Sequence, residues 1–229
     1  MISAMPGGAV SNIYTFLGRA NTALSVALTA VMTLLALITA PLILRLFASQ
    51  HLPPEIPMPT GVIIREIVLF LLLPLSAGMV VGRLTNHNET ISNWAIRLSL
   101  VGLAIIAVGS FGSGRLDVDE FGAKIPLLII GYSVANQVVI MLISLKLLRF
   151  SRRDMTALGI ESSMKNINLS LLIAASLFPL EGPSAEFGGA VLFVLLLYGG
   201  ASLVASASPA FRHYRWTKKQ QKAAPEEPA

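Results

Sequence analysis

Residues 151–180 read SRRDMTALGIESSMKNINLSLLIAASLFPL. At a rise of about 1.5 Å per residue the stretch is long enough to cross a bilayer, yet its middle holds Glu161, Ser162, Ser163, Met164, Lys165 and Asn166. A carboxylate and an ammonium near the bilayer midplane cost about 2.5 to 3.5 kcal/mol each, so they persist where partners or a task offset the penalty. Serines and an asparagine flank them and the second half turns apolar, which predicts a helix interrupted at the serines. An interruption leaves backbone N–H and C=O groups unpaired at membrane depth, where they can hold ions or polar groups of a solute.

Composition sets the class. With 54% hydrophobic and 13% charged residues and a mean hydropathy of +0.72, the 229 residues read as an all-α, polytopic membrane protein rather than a soluble domain. The formal charge is +5, but the basic residues sit at the ends of apolar runs, where they orient spans and meet lipid headgroups. That placement argues against nucleic acid as a partner and for the lipid bilayer. The chain has no cysteine, which excludes disulfides and thiolate chemistry. MISAMPGGAV at the start has neither the basic onset nor the apolar stretch of a signal peptide.

Outward from residues 151–180, the apolar runs predict further spans. Residues 6–20 form a glycine-rich break followed by about two helical turns, too short to cross. Residues 21–47 make a full span with Ser25 and Thr29 one turn apart on one face and Pro41 as a kink. Spans are also expected at 61–83, 91–111, 125–148 and 186–210, with a basic, disordered tail over 211–229. Lys146, Arg149, Arg152 and Arg153 cluster after one span and more basic residues follow the last. Alternating the spans puts both groups on one side, which the positive-inside rule makes cytoplasmic. The polypeptide is then a multi-pass plasma-membrane protein, of the inner membrane in a bacterium, with its C-terminus in the cytoplasm. A broken polar segment followed by a span occurs at 7–47 and again at 152–210, in opposite orientations. Inverted repeats with paired broken helices belong to secondary transporters.

Two motifs carry a family resemblance. GGAVSNIYTFLGRANTALSVALT, residues 7–29, resembles the fourth segment of the bile acid:sodium symporter family, and GIESSMKN, residues 159–166, resembles its ninth. The resemblance implies a fold of two five-span inverted repeats, divided into core and panel, in which two sodium ions drive uptake of an organic anion, such as a bile acid-like solute or a small carboxylate. Carried over by position, one sodium site would comprise Ser11, Asn12, Ser25, Thr29 and Glu161. The second would use Glu161, Met164 and the position of Lys165, while Asn12 and Asn166 would face the solute.

The same comparison divides the chain into a broken-helix remnant with the first core span (1–47), two panel-type spans with an external linker (48–111), core spans including the broken helix (112–210), and a cytoplasmic tail (211–229). It also implies that the family's first three spans and half of its fourth are missing, the chain being a truncated form. Two positions depart from the family pattern: Ser163 stands where glycine is usual and Lys165 where glutamine is usual. An ammonium at 165 would take the place of the second ion, leaving one sodium, or coupling to H⁺ through the lysine.

Blander readings stand beside these. Glu161 and Lys165, four apart, could be a structural ion pair that neutralises itself. Ser25 and Thr29 could bond back to carbonyls, Asn136 and Gln137 could join helices, and Arg65 with Glu66 could anchor a span at headgroup level. His51, His87 and His213 are scattered, and no serine, base and acid constellation suggests an enzyme. The alternative to a transporter is a non-transporting membrane protein or accessory subunit. The sequence leaves the oligomeric state open.

Overall fold

In the computed structural model, residues 2–48, 60–84, 122–177 and 185–223 are described, with isolated helical positions between 90 and 105. The expected span at 91–111, the linker after residue 48 and the acidic loop before residue 122 lie wholly or mainly outside the described residues. The N-terminus opens with a 3-10 turn, Ile2–Ala4, and an extended crossing through Pro6, Gly7 and Gly8 before α1 (Ala9–Leu17). Arg19, at φ 55°, reverses the chain. Asn21 then caps α2 (Thr22–Ile43), accepting from the Leu24 N–H at 3.1 Å.

α2 runs on through a π-helical turn at Leu44–Ala48. α3 (Thr60–Ile67) meets α4 (Leu73–Leu84) through a second π turn, Val68–Leu72. Pro74 explains that one: it has no N–H for the Phe70 carbonyl, and the helix widens there. α5 (Lys124–Leu142) ends in a third π turn, Ile143–Leu147. α6 (Arg152–Ser163) starts on Ser151, whose hydroxyl accepts from the Asp154 N–H at 3.2 Å. α7 (Ile167–Leu177) follows, and α8 (Ala185–Ala223) closes the chain.

The interruption expected in residues 151–180 is present, but at Met164–Asn166 rather than at the serines. Ser162 and Ser163 stay helical because partners on α5 and α8 hold the carbonyls of that last turn. The tail also differs: α8 continues unbroken through Pro209 to Ala223, so residues 211–223 are helical rather than disordered. His213 Nδ1 lies 2.9 Å from the Gly18 carbonyl, Arg19 donates to Gln221 at 2.7 Å, and Arg152 lies over the Trp216 ring. Those contacts dock the end of α8 on the α1–α2 turn and give it a reason to stay wound.

The main core joins Ala36 and Ala40 of α2, Ile63 and Ile67 of α3, and Leu169 and Ile173 of α7. Side chains such as Ile38, Leu127 and Leu147 point outward. Three helices among the described residues, Thr22–Phe47, Lys124–Leu147 and Gly188–Lys222, are long and apolar enough to cross a membrane. An outward-facing apolar surface on such helices suits contact with lipid or with further helices. Arg65 and Glu66 part company: neighbours on a helix diverge by about 100°, so Arg65 faces out while Glu66 is buried. They remain paired at 3.2 Å, and Glu66 Oε2 has no partner among the described residues. Glu66 is therefore an inward-facing acid, not a headgroup anchor.

Candidate functional site

Two non-helical segments, one near each end of the chain, cross as a minimal antiparallel bridge between Gly7 and Lys165. Gly8 N–H donates to the Met164 carbonyl at 2.8 Å, and Asn166 N–H donates to the Pro6 carbonyl at 2.9 Å. Four helix ends gather there: Ile2–Ala4 and α6 arrive, α1 and α7 depart. Gly7 is required by the closeness of the approach. A Cβ there would fall on the Glu161 carboxylate.

Glu161, in the last turn of α6, is 6% exposed, and the hydroxyls of Ser11, Ser25 and Thr29 are buried around it. Ser11 and Ser25 donate to its Oε2 at 2.5 and 3.0 Å, and Thr29 donates to its Oε1 at 2.7 Å. Ser11 Oγ also lies 2.6 Å from the Gly8 carbonyl, and Thr29 Oγ1 lies 3.0 Å from the Ser25 carbonyl and 3.4 Å from Asn12 Oδ1. Three hydroxyl protons thus face six close oxygen contacts. The cluster has more acceptors than protons, a buried negative charge, and only oxygen donors. Such a set suits a hard cation, which oxygen ligands bind, and a carboxylate buried without a counter-charge is unfavourable. The oxygen-only donor set therefore fits a hard monovalent cation such as sodium.

The remaining expected residues are placed as follows. Met164 is buried, with its carbonyl taken by Gly8. Lys165 is half-buried in the bridge. Glu161 and Lys165 are close enough to interact electrostatically, yet they form no ion pair within 4.0 Å. The self-neutralising pair is not formed, and the structure likewise does not put the ammonium on the Glu161 carboxylate. Asn166 accepts from the Leu169 N–H at 3.0 Å, so its carbonyl oxygen caps α7. Its amide nitrogen, like that of Asn12, makes no hydrogen bond to a described residue.

The shell that holds the break was only partly foreseen. Asn136 on α5 donates to the Ser162 carbonyl at 2.7 Å, and Tyr198 on α8 donates to the Ser163 carbonyl at 2.5 Å. Gln137 reaches the hydroxyls of Ser163 and Ser206 at 3.2 and 3.3 Å. Asn136 and Gln137 do join helices: Asn136 satisfies an orphan carbonyl at the open end of α6, and Gln137 ties the Ser163 hydroxyl there to Ser206 of α8. Tyr198 was missed; its signal was a single hydroxylated aromatic inside the apolar run VLFVLLLYGG.

Crossed, broken membrane helices of opposed direction, with an oxygen-lined acid at the crossing, define the architecture used by the cores of secondary transporters. The chain belongs to the Sodium Bile acid symporter family, whose profile matches residues 1–118. It is 32% identical over 190 residues to the Bacillus subtilis (strain 168) protein named "Uncharacterized sodium-dependent transporter YocS", covering 82% of this chain and 58% of that one. It is 24% identical over 204 residues to the Oryza sativa subsp. japonica protein named "Probable sodium/metabolite cotransporter BASS2, chloroplastic", covering 89% of this chain and 47% of that one. The chain spans about half the length of these curated relatives.

Proposed function

We propose that this chain carries the ion-coupling core of a secondary active transporter that moves an organic anion in symport with sodium, or with a proton. The observation that supports this most is the proton-poor oxygen cluster where the two broken helices cross. In this reading Ser11, Asn12, Ser25, Thr29 and Glu161 hold one sodium. Met164 and Lys165 occupy the second ion position, with the lysine in place of the ion, and Asn12 and Asn166 face the solute. The solute class is bile acid-like or small carboxylate, a reading supported by the family's description. Exchange of bound for free ions and solute on alternate sides follows from rocking about the crossing.

Sidedness belongs to the same proposal. Arg19, Arg152 and Arg153 lie with Tyr214, Trp216 and Gln221 at one end of the molecule. A basic end of this kind is cytoplasmic by the positive-inside rule, which puts the C-terminus in the cytoplasm of a plasma or bacterial inner membrane. The test is uptake by the chain in proteoliposomes, screened over organic anions with an inward gradient of sodium, of protons, or of neither. Gradient-driven accumulation that disappears in Glu161→Gln is the expected result. Equal, non-concentrative leakage under all three conditions would leave a non-transporting membrane protein instead.

A further inference from the structure

Three sources of positive potential converge on the crossing. α1 starts directly after Gly8 with no side-chain cap, and α7 starts directly after Asn166, so both helices depart from the two segments that the Gly7–Lys165 bridge joins. A helix start carries roughly half a positive charge, and paired starts at membrane depth favour an anionic group. The third source is the Lys165 ammonium. It makes no hydrogen bond or ion pair with a described residue, and it is half-buried rather than sealed. The neighbouring acid does not claim it, because both Glu161 oxygens already accept from Ser11, Ser25 and Thr29. The amide nitrogens of Asn12 and Asn166 stand equally unengaged.

We propose that Lys165 is the receptor for the acidic group of the solute: its ammonium, with the amide N–H groups of Asn12 and Asn166, binds the carboxylate of a monoanionic organic acid, while the Glu161 cluster takes one sodium. This rests on the transporter reading above and adds to it a substrate charge and a stoichiometry. Charge then closes in two pairs, Glu161 with sodium and Lys165 with the solute carboxylate. The loaded site crosses the membrane with no net charge, one sodium accompanies one monoanion, and a membrane potential has no hold on the cycle. A dianion would leave a negative charge uncompensated in a medium that penalises it heavily, so monoanions are preferred.

The test uses the full chain, purified in detergent for equilibrium binding and reconstituted for flux. The probes are radiolabelled sodium, the monoanions cholate and pyruvate, and the methyl esters of both acids. Wild type is expected to bind at least one of the two acids but not its neutral ester, to carry it with sodium in a one-to-one ratio, and to ignore a valinomycin-imposed potential. Lys165→Gln is expected to weaken acid binding by about 10- to 100-fold while the Glu161 cluster still binds its one sodium, and Lys165→Arg to restore most of the acid binding. Acid affinity unaltered in Lys165→Gln, or ester bound as well as acid, overturns this inference while leaving sodium-driven transport standing. Loss of sodium binding together with the acid would make Lys165 a structural support and also overturn it. If the wild type binds neither acid at any sodium concentration, the inference falls, and the transporter reading stands or falls by the gradient-driven uptake screen above.

Discussion

Glu161 is a buried acid surrounded by hydroxyls, and its role as the cation ligand of the proposed site can be tested by single substitutions. Among the described residues three hydroxyls and no basic side chain touch its carboxylate, so replacing it with glutamine removes the charge and puts an N–H into a cluster already crowded with oxygen. Radiolabelled sodium binding to Glu161→Gln is expected to fall by about 100-fold or more, whereas Thr29→Val, which removes a single hydroxyl, is expected to lose about tenfold. Gly7→Ala is a steric test of the same point: the added methyl meets the carboxylate. Overpacking of this kind costs about 1 to 3 kcal/mol, read as a lower midpoint of thermal unfolding together with weakened sodium binding. At this scale the gathering of Ser11, Ser25 and Thr29 on Glu161 was legible from the two motifs that carry the family resemblance, since hydroxyls in membrane helices, taken alone, commonly bond back to a carbonyl instead. The fate of Lys165 was not. Four-residue spacing brings side chains together only along an unbroken helix, and the break at Met164 falls between the two charges, so Glu161 turns to the hydroxyls while Lys165 leaves with the extended segment.

An interrupted helix needs its loose ends held, and α5 and α8 supply that hold. Tyr198→Phe deletes the donor to the Ser163 carbonyl without changing volume. It is expected to destabilise the fold by about 1 to 3 kcal/mol and to speed amide exchange at residues 164–166 more than elsewhere. Asn21→Ala removes both the cap of α2 and the 2.6 Å hydrogen bond to Asp154; about 1 kcal/mol is expected, measured by chemical unfolding. The existence of the break could be read from the polar residues in an apolar run. Its position could not, since the serines that suggest a breaker are kept helical by Asn136, Gln137 and Tyr198, residues distant in sequence. The tail was misjudged for a similar reason. Its polarity resembles disorder, but arginine, lysine, glutamine and alanine are good helix formers, and the docking of His213 on Gly18 is a tertiary contact that composition does not reveal.

Across the whole molecule, the N-terminal and C-terminal portions meet at the bridge, in the core shared by α2, α3 and α7, and where α8 ends on the α1–α2 turn. The last of these meetings makes sidedness testable. Because the chain has no cysteine, single cysteines at Ser151 and Lys219 are expected to react with an impermeant maleimide from one side of the membrane only, and from the same side. Opposite or mixed labelling would refute the shared basic end. The spans expected at 21–47, 125–148 and 186–210 were plain from hydropathy; which ends touch was not, because contacts between residues some 200 positions apart leave no periodic trace. At about 1.5 Å per residue, α8 measures roughly 58 Å, against a hydrocarbon slab of about 30 Å. A tilt of roughly ten degrees inside the slab would sweep the overhanging tip sideways by about 5 Å, simple lever geometry for a rod of that length. The His213 contact ties that overhang to the α1–α2 turn. Leaning of α8 must therefore either drag that turn, and with it the helices around Glu161, or break the latch.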